Sequence, residues 1–309
     1  MKFPFMSDMT SPDPKRKQEN GAASLRARLQ ANAPRYGVEG CPECQGLGIL
    51  FDPRAGRMGA YEICNCNRQR CRCGGQAPFM YFDEGQNAMV PCPAREAYLA
   101  LERIIRLNRR SGVPSRFQNR FLDTLDTKDP GISLLIAMDH AVEIIYQYGR
   151  RKDPDAPDIQ GLYLYGSTGT GKTHIACTIV NELIRLYQVE AHYAKISRDI
   201  LNKIRESFNT SSDSYGMGGR IEKELASYEA LVIDDFGVHR ESPWVNSTLY
   251  DLIDSRYEKN LLTILTSNEP MDSWKELFGG RVYSRLKQVC IEIHLDGEDY
   301  RLRESRSIS

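Results

Sequence analysis

The segment Gly166-Ser-Thr-Gly-Thr-Gly171-Lys172-Thr173 has residue types and spacing that can bind a phosphate chain. Its glycines let backbone N–H groups curl around an anion, which also meets the positive end of the helix that follows. Lys172 would reach the β- and γ-phosphates, and Thr173 would ligate Mg²⁺. The segment therefore predicts that ATP is bound by Gly166, Gly169, Gly171, Lys172 and Thr173.

Two consecutive carboxylates end the apolar run Leu231-Val-Ile-Asp234-Asp235. A strand of this kind delivers them to the carboxyl edge of a parallel sheet, beside the phosphate-binding loop. Asp234 is expected to hold Mg²⁺ through water, and Asp235 to orient or deprotonate the attacking water. An ordinary turn at a strand end is the alternative, and the complete phosphate-binding motif elsewhere in the chain favours the catalytic interpretation.

Two further positions have residue types that complete ATP sites. Asn268 follows the apolar run Leu261–Thr266, where a carboxamide could sense the γ-phosphate or position water, although Ser-Asn is also a common turn pair. Arg281 and Arg285 lie four residues apart on one helical face. In multimeric ATPases an arginine from one subunit completes the ATP site of its neighbour, and either residue is a candidate for this role. The alternative for each arginine taken alone is that it lies on a solvated basic helix face.

The elements that must position these residues alternate between helices and short apolar strands from residue 131 onward. The strands are predicted at Gly161–Tyr165, Val189–Tyr193, Ala230–Ile233, Leu261–Thr266 and Val289–Ile293. Strands separated by helices build a mostly parallel sheet that helices cover on both faces. The predicted fold is therefore α/β, with the phosphate-binding loop between the first of these strands and the next helix.

Seven of the nine cysteines lie between Cys41 and Cys92, in close C-x-x-C and C-x-C pairs. This distribution indicates metal ligation in a reducing compartment rather than a disulfide framework. Zn²⁺ takes four tetrahedral ligands, and the Cys64-Asn-Cys66 pair follows Cys44 at a spacing of about twenty residues, which is common in zinc ribbons. We predict one zinc site made of Cys41, Cys44, Cys64 and Cys66.

The remaining cysteines of this block leave other arrangements open. Cys71, Cys73 and Cys92 are candidates for part of a second site, and the first two are also candidates to replace the C-x-C pair of the first. No histidine precedes His140, so an all-protein zinc centre within the block needs four cysteines. An iron–sulfur cluster is the chemical alternative to zinc.

The bulk composition argues against several classes of protein. Lysine plus arginine and aspartate plus glutamate number 41 each, so no overall field draws the chain to nucleic acid or to a membrane. No apolar run approaches membrane-spanning length, and residues 1–10 lack the apolar core of a signal peptide. We expect a soluble, cytoplasmic protein with no membrane partner.

Composition divides the chain into four parts. Residues 1–36 are polar, proline-rich and basic, and we expect a disordered tail there, with at most a short helix near Leu25–Leu29. Residues 37–93 form the Cys-rich zinc-binding module, residues 94–111 a basic linker helix, and residues 112–309 the ATPase domain. The arginines of the helix suit an acidic partner or DNA phosphates, with a solvated face as the alternative. They are Arg95, Arg103, Arg106, Arg109 and Arg110.

Several motifs in a fixed order resemble the DnaC/DnaI/IstB group of AAA+ ATPases. They are Gly112–Arg116, Gly169–Ala176, Ile233–Gly237, Asp254–Tyr257 and Thr263–Asn268. The resemblance covers roughly residues 112 to 301. It implies an AAA+ P-loop core, in which a parallel sheet is sandwiched by helices, preceded here by the small Cys-rich domain.

The resemblance also implies roles for single residues. Lys172 and Thr173 match the Walker A pair, Asp234 matches the Mg²⁺ aspartate, and Asn268 matches sensor 1. Asp235 takes the place that most AAA+ proteins fill with Glu, so its side chain is one methylene shorter. We therefore hypothesise slow hydrolysis, with ATP acting as a switch more than as fuel.

The resemblance also implies roles for three arginines. Arg285 resembles the arginine finger, with Arg281 as the second candidate, and this implies self-association in an ATP-dependent oligomer. Arg301 falls near the position where a sensor 2 arginine is sought. The chain ends eight residues later, so we expect a full C-terminal lid domain to be missing.

Within this group, DnaC- and DnaI-type proteins load the replicative hexameric helicase onto DNA, and IstB-type proteins assist transposases. The resemblance implies that residues 37–111 grip the helicase. The segment Cys41–Gly48 is similar to the zinc knuckles of DnaJ-type proteins. Residues Ser197–Glu224 lie where initiator-type AAA+ proteins insert a helix that contacts single-stranded DNA.

Other classes fit the sequence less well than a helicase loader. An IstB-like helper of a transposase is the nearest, and the N-terminal Cys-rich module argues against it. Clamp-loader subunits combine a zinc site with an AAA+ domain, but their cysteines typically follow the phosphate-binding loop, whereas here they precede it. A DnaJ-like chaperone would have four knuckle repeats and a His-Pro-Asp signature, which this sequence lacks. The pair Asp234-Asp235 and the position of Asn268 disfavour a small-molecule kinase.

Overall fold

The structure is a computed structural model that describes residues 25, 27–52, 55, 60–122, 131–151, 153–156, 158–196, 223–237, 243–276 and 280–297. Its N-terminal part contains two antiparallel hairpins. The elements there are β1 (Ile49–Asp52), β2 (Ala60–Ile63), α1 (Asn65–Arg70), β3 (Met80–Asp83), β4 (Ala88–Pro91) and α2 (Arg95–Arg110). Strand β1 pairs with β2, and β3 pairs with β4.

The C-terminal part is built on one five-stranded sheet in the order β6-β7-β8-β5-β9, in which every pairing is parallel. Its strands are β5 (Gly161–Tyr165), β6 (Ala191–Lys195), β7 (Ala230–Phe236), β8 (Leu262–Ser267) and β9 (Cys290–His294). Its helices are α3 (Ile132–Arg150), α4 (Lys172–Tyr187), α5 (Pro243–Glu258) and α6 (Arg281–Val289). The predicted α/β fold with a parallel sheet is confirmed.

Helices cover both faces of this sheet because successive strand residues point to opposite sides. In β5, Leu162 and Leu164 pack in a core with residues of α3 and α4. Tyr163, between them, packs in a second core with residues of α5 and α6. Strands buried on both faces read as continuous apolar runs, which is the pattern that the sequence displays.

The end of β7 differs from its prediction. The strand was expected to end at Ile233, but it continues to Phe236, with an irregular register against β8 between those two residues. Asp235 lies in this irregularity and has a backbone φ of +58°. Such a bulge re-aims a side chain without ending the strand, so Asp234 and Asp235 are strand residues rather than turn residues.

The short helix that the sequence predicts near Leu25–Leu29, within the N-terminal tail, is present in the structure. Residues 27–30 are helical, and Leu29 is buried in the same core as α3 and α4. The hydroxyl of Tyr187 donates to the carbonyl of Leu29 at 3.2 Å, and Arg28 forms an ion pair with Glu143. Leu25 and Leu29 lie one helical turn apart, and both pack against the core of the sheet domain although the segment as a whole is polar.

Helix α2 joins the two parts of the chain. The predicted linker helix is present, and its buried residues Ile104 and Leu107 belong to the core of the sheet domain. None of the helices that the structure describes combines the length and the apolar character needed to cross a membrane.

Candidate nucleotide site and cysteine clusters

The phosphate-binding segment forms the loop between β5 and α4, as predicted. Gly166, Gly169 and Gly171 all have positive φ angles. At Gly166 a Cβ atom would lie 2.1 Å from the carbonyl oxygen of Leu295, so this position admits only glycine. The loop leads directly into the first turn of a 16-residue helix, whose N-terminus is a favourable position for phosphate.

Lys172 folds back onto this loop. Its ammonium group donates to the carbonyl oxygens of Gly166 at 2.8 Å and Ser167 at 2.7 Å, and the residue is 8% exposed. The positive charge is thus held beside the backbone N–H groups of the loop. This arrangement concentrates the donors that a phosphate chain requires.

Asp234 is the centre of a buried network of hydroxyl groups. Its Oδ1 accepts from Thr173 at 2.8 Å and from Thr266 at 2.5 Å, while its Oδ2 accepts from Tyr193 at 2.5 Å. The carboxylate is 2% exposed. Helix α4 and strands β6, β7 and β8 therefore converge on this single side chain. Burial and the adjacent Asp234 carboxylate raise the pKa of Tyr193, so its hydroxyl remains a donor.

Sequence reasoning missed Thr266 and Tyr193 as parts of this site. Thr266 is the last residue of the predicted strand that precedes Asn268, and Tyr193 ends the second predicted strand. The available signal was their position near the carboxyl ends of neighbouring strands. Because the strand order was unknown, nothing in the sequence identified which carboxylate they would contact.

Asp235 lies at the same edge of the sheet as Asp234. Its backbone N–H donates to the Thr266 hydroxyl at 3.1 Å. Its carboxylate forms an ion pair with Lys195, which sequence reasoning did not single out, and the two side chains are 35% and 39% exposed. Asp235 is therefore accessible to water and held by a cation from β6.

Asn268 directly follows β8 and is exposed. The preceding residue, Ser267, is anchored by its hydroxyl, which donates to the carbonyl oxygen of Phe236 at 2.8 Å. This bond ties the ends of β7 and β8 together. Asn268 thus lies at the edge of the sheet that also carries the two aspartates.

The two candidate finger arginines differ in their surroundings. Arg285 forms an ion pair with Asp254 of the same chain and lies against the rings of Tyr250 and Tyr257. Arg281, at the start of α6, is exposed. The structure therefore gives Arg285 an intramolecular partner and leaves its role toward a neighbouring subunit as a prediction.

The four cysteines of the predicted zinc site come together. Their sulfur atoms all lie within 4.8 Å of one another, with Cys41 and Cys64 at 3.7 Å and Cys44 and Cys66 at 3.7 Å. Four thiolates around a tetrahedral zinc, each about 2.3 Å from it, would be about 3.8 Å apart. Backbone N–H groups, first that of Cys44, lower the pKa of Cys41 to about 7, whereas burial raises the pKa of Cys44 and of Cys64.

The other cysteines do not join this set. Cys71, Cys73 and Cys92 form a separate group, so the C-x-C pair nearest to Cys41 and Cys44 in space is Cys64 and Cys66. Two earlier interpretations concern residues outside the described ones. These are the sensor 2 candidate Arg301 and most of the DNA-contact segment, residues 197–222.

The chain is similar to known ATP-binding proteins over the region that contains this site. Residues 157–308 match the family described as IstB-like ATP binding protein. The replicative helicase loader DnaC of Escherichia coli (strain K12) is 28% identical over 130 residues, which make up 42% of this chain and 51% of DnaC. The putative ATP-binding protein Rv3427c in an insertion sequence of Mycobacterium tuberculosis is 31% identical over 150 residues, 47% of this chain and 57% of that protein.

Among solved structures, the crystal structure of the DnaI superimposes with a TM-score of 0.49 at 20% identity, covering 63% of this chain and 98% of that one. The chain spans about half the length of the curated relatives it matches. The matched region contains the phosphate-binding loop, both aspartates and Asn268. Residues 157–308 therefore match the IstB-like ATP-binding family, and the chain is similar to the DnaC and DnaI helicase loaders and to ATP-binding proteins of insertion sequences.

Proposed function

We propose that this protein is an ATP-dependent loader of the replicative hexameric helicase and that it acts in the cytoplasm. The observation that carries the proposal is that one chain contains both an ATP-binding domain and a Cys-rich module. A DnaC-related ATP-binding domain is joined, through the buried face of α2, to a Cys-rich module. An N-terminal module that packs on the ATPase core is suited to pass the state of the nucleotide on to a bound partner.

The nucleotide site would bind ATP through Gly166, Gly169, Gly171, Lys172 and Thr173. Mg²⁺ would be held at Thr173 and Asp234. The donor set fits this ion, because Mg²⁺ prefers oxygen ligands and a buried carboxylate lies here among hydroxyl groups. Bound there, the ion neutralises charge on the β- and γ-phosphates.

Hydrolysis would depend on groups at the edge of the sheet. Asp235 would orient or deprotonate the attacking water, Asn268 would sense the γ-phosphate, and Arg285 would act on the site of a neighbouring subunit in an oligomer. The ion pair between Asp235 and Lys195 supports slow, switch-like hydrolysis, because it engages the carboxylate that must contact water. Turnover of many ATP molecules per second by the protein alone would contradict the proposal of slow, switch-like hydrolysis.

The N-terminal module would bind Zn²⁺ at Cys41, Cys44, Cys64 and Cys66 and grip the helicase through residues 37–111. The charge of α2 supports an acidic partner surface. Four arginines on this helix are exposed, which are Arg103, Arg106, Arg109 and Arg110. Single-stranded DNA would contact the ATPase domain, where the segment 197–224 is our candidate.

The decisive experiment is to mix the protein with its host's replicative helicase and measure complex formation by size, with ATP, with ADP and without nucleotide. We expect a complex whose stability depends on ATP. The Lys172→Ala variant should lose this dependence because it cannot bind ATP. A matched control is Lys259→Ala, which removes an exposed lysine from a turn beside β8. Absence of a complex in every nucleotide state would overturn the proposal.

An IstB-like ATPase that assists a DNA transposase is the second candidate. The family match itself and the relative from an insertion sequence favour it. The same mixing experiment with a transposase encoded beside the gene separates the two functions. A complex with the transposase alone would select this candidate.

A further inference from the structure

A second group of thiols lies outside the predicted zinc site. Cys71 and Cys73 follow α1, and Cys92 follows β4. The sulfur atoms of Cys71 and Cys73 are 3.7 Å apart, those of Cys71 and Cys92 are 3.9 Å apart, and all three lie within 4.8 Å of one another. Cys71 and Cys92, which are 21 positions apart in the chain, are thus brought together by the fold.

These distances match shared ligation of one ion. Thiolates bound to a tetrahedral zinc are about 3.8 Å apart, since each Zn–S bond is about 2.3 Å long. A disulfide would need a sulfur–sulfur distance of about 2.05 Å, and all three cysteines are free. The spacing is the same as in the group of four cysteines, where two pairs are also 3.7 Å apart.

A backbone donor is aimed at one of these three sulfur atoms. The backbone N–H of Arg72 donates to the sulfur of Cys92 at 3.3 Å. Metal ligation requires the thiolate, so donors aimed at this sulfur favour an ion.

The group has three cysteines and no fourth ligand of the usual kind. Within the described part of the chain, no further histidine, cysteine, aspartate or glutamate joins the three thiols. The nearby Tyr98 is held by stacking on Phe79, and its hydroxyl bonds to Cys71. A site with three protein ligands leaves one position of the tetrahedron for water.

We propose that Cys71, Cys73 and Cys92 bind a second zinc ion, with three thiolates and one water molecule as ligands. This ion joins the end of α1, the base of the β3–β4 hairpin and the start of α2. The hairpin presents two exposed apolar side chains, Phe82 and Met89, that face each other across the strands. The second ion therefore fixes the position of the β3–β4 hairpin, whichever partner the protein binds.

The first test is the metal content of full-length protein purified without chelator. We expect two zinc ions per chain in the wild type, one in Cys92→Ser and one in Cys44→Ser. Cys177→Ala, which changes a buried cysteine outside both groups, should keep two. One zinc in the wild type that Cys92→Ser leaves unchanged would overturn the proposal, as would iron in place of zinc.

A second measurement needs no variant and covers the case in which Cys92→Ser does not fold. The wild type is loaded with ¹¹³Cd²⁺, whose chemical shift depends on the number of bound thiolates. We expect two resonances at different shifts, one for four thiolates and one for three. A single resonance, or two at the shift of four thiolates, would contradict the second site.

Discussion

The ammonium group of Lys195 lies 2.7 Å from a carboxylate oxygen of Asp235. Lys195 ends β6, and its register partner on β7 is Asp234, the neighbour of Asp235. The carboxylate that we propose acts on water is therefore already engaged by a cation from the adjacent strand. Because both side chains are more than a third exposed, the pair is weak, and substitution can test it.

We expect the Lys195→Met variant to hydrolyse ATP faster than the wild type, because Asp235 no longer divides its contacts between the ammonium group and water. An exposed ion pair contributes about 0–1 kcal/mol, so the increase should be at most about fivefold. Steady-state ATPase assays measure it. The double variant Lys195→Met/Asp235→Asn should be inactive, and a slower Lys195→Met enzyme would contradict the inhibitory role.

We expect the Tyr193→Phe variant to lose about 1–3 kcal/mol of stability, because a buried oxygen of Asp234 loses its donor while the ring is kept. Urea unfolding followed by circular dichroism measures the loss. The matched control is Tyr283→Phe, whose hydroxyl contacts the exposed Asp272 and should matter by less than about 0.5 kcal/mol. Equal effects of the two changes would argue against the buried network.

Arg285 can be tested against its own ion pair. Arg285→Ala and Asp254→Asn each break the same contact, so each should cost about 1 kcal/mol of stability. Asp254→Asn keeps the guanidinium group, and it should retain the hydrolysis that assembly stimulates. Arg285→Ala should lose that stimulation. If Arg281→Ala loses it instead, the exposed arginine is the finger.

The buried Arg256 ties β8 to the segment that precedes β7, and we expect Arg256→Lys to lose about 3 kcal/mol of stability. Its guanidinium group is 1% exposed and donates to the carbonyls of Leu225, Tyr228 and Leu262 and to the Thr263 hydroxyl. Burial lowers its pKa to about 9, so it stays charged at neutral pH. A lysine cannot reach all four acceptors.

Thermal and urea unfolding measure this loss. Arg281→Lys, on an exposed surface, is the matched control and should leave stability unchanged within about 0.5 kcal/mol. A tolerated Arg256→Lys would mean that the four contacts contribute little to the native state.

The lowered pKa of His174 predicts that the protein becomes less stable as the pH falls. Burial, and then the charges of Arg120 and Arg116, lower its pKa to about 4, against about 6.5 for an unfolded histidine. Because the unfolded state binds the proton more readily, this group's contribution is complete above pH 6.5 and is lost as the pH falls toward 4. The loss from pH 7 to pH 5 should be roughly 2 kcal/mol.

The test compares urea unfolding of the wild type and of His174→Phe at both pH values. Phenylalanine keeps the ring contact with Phe117 and cannot take up a proton. The variant should therefore lose less stability between pH 7 and pH 5 than the wild type. An identical pH dependence would show that His174 does not titrate in this range.

The parts of the site that one segment encodes were predictable. The phosphate-binding loop needs glycines, Lys172 and Thr173 at fixed spacing, so its position between a strand and a helix followed from the motif. The same holds for the cysteine pairs around Cys41 and Cys64, whose spacing is local. The alternation of apolar runs likewise predicted a parallel sheet, which the structure confirms.

The sequence by itself thus determined which segments could bind phosphate and metal and which fold class would carry them. Only the tertiary structure decided that Tyr193 and Thr266 would meet at Asp234, and that Lys195 would hold Asp235. These contacts depend on strand order and on the bulge in β7. The physical reason is that a carboxylate accepts from any nearby donor, so its partners are chosen by which strands lie side by side.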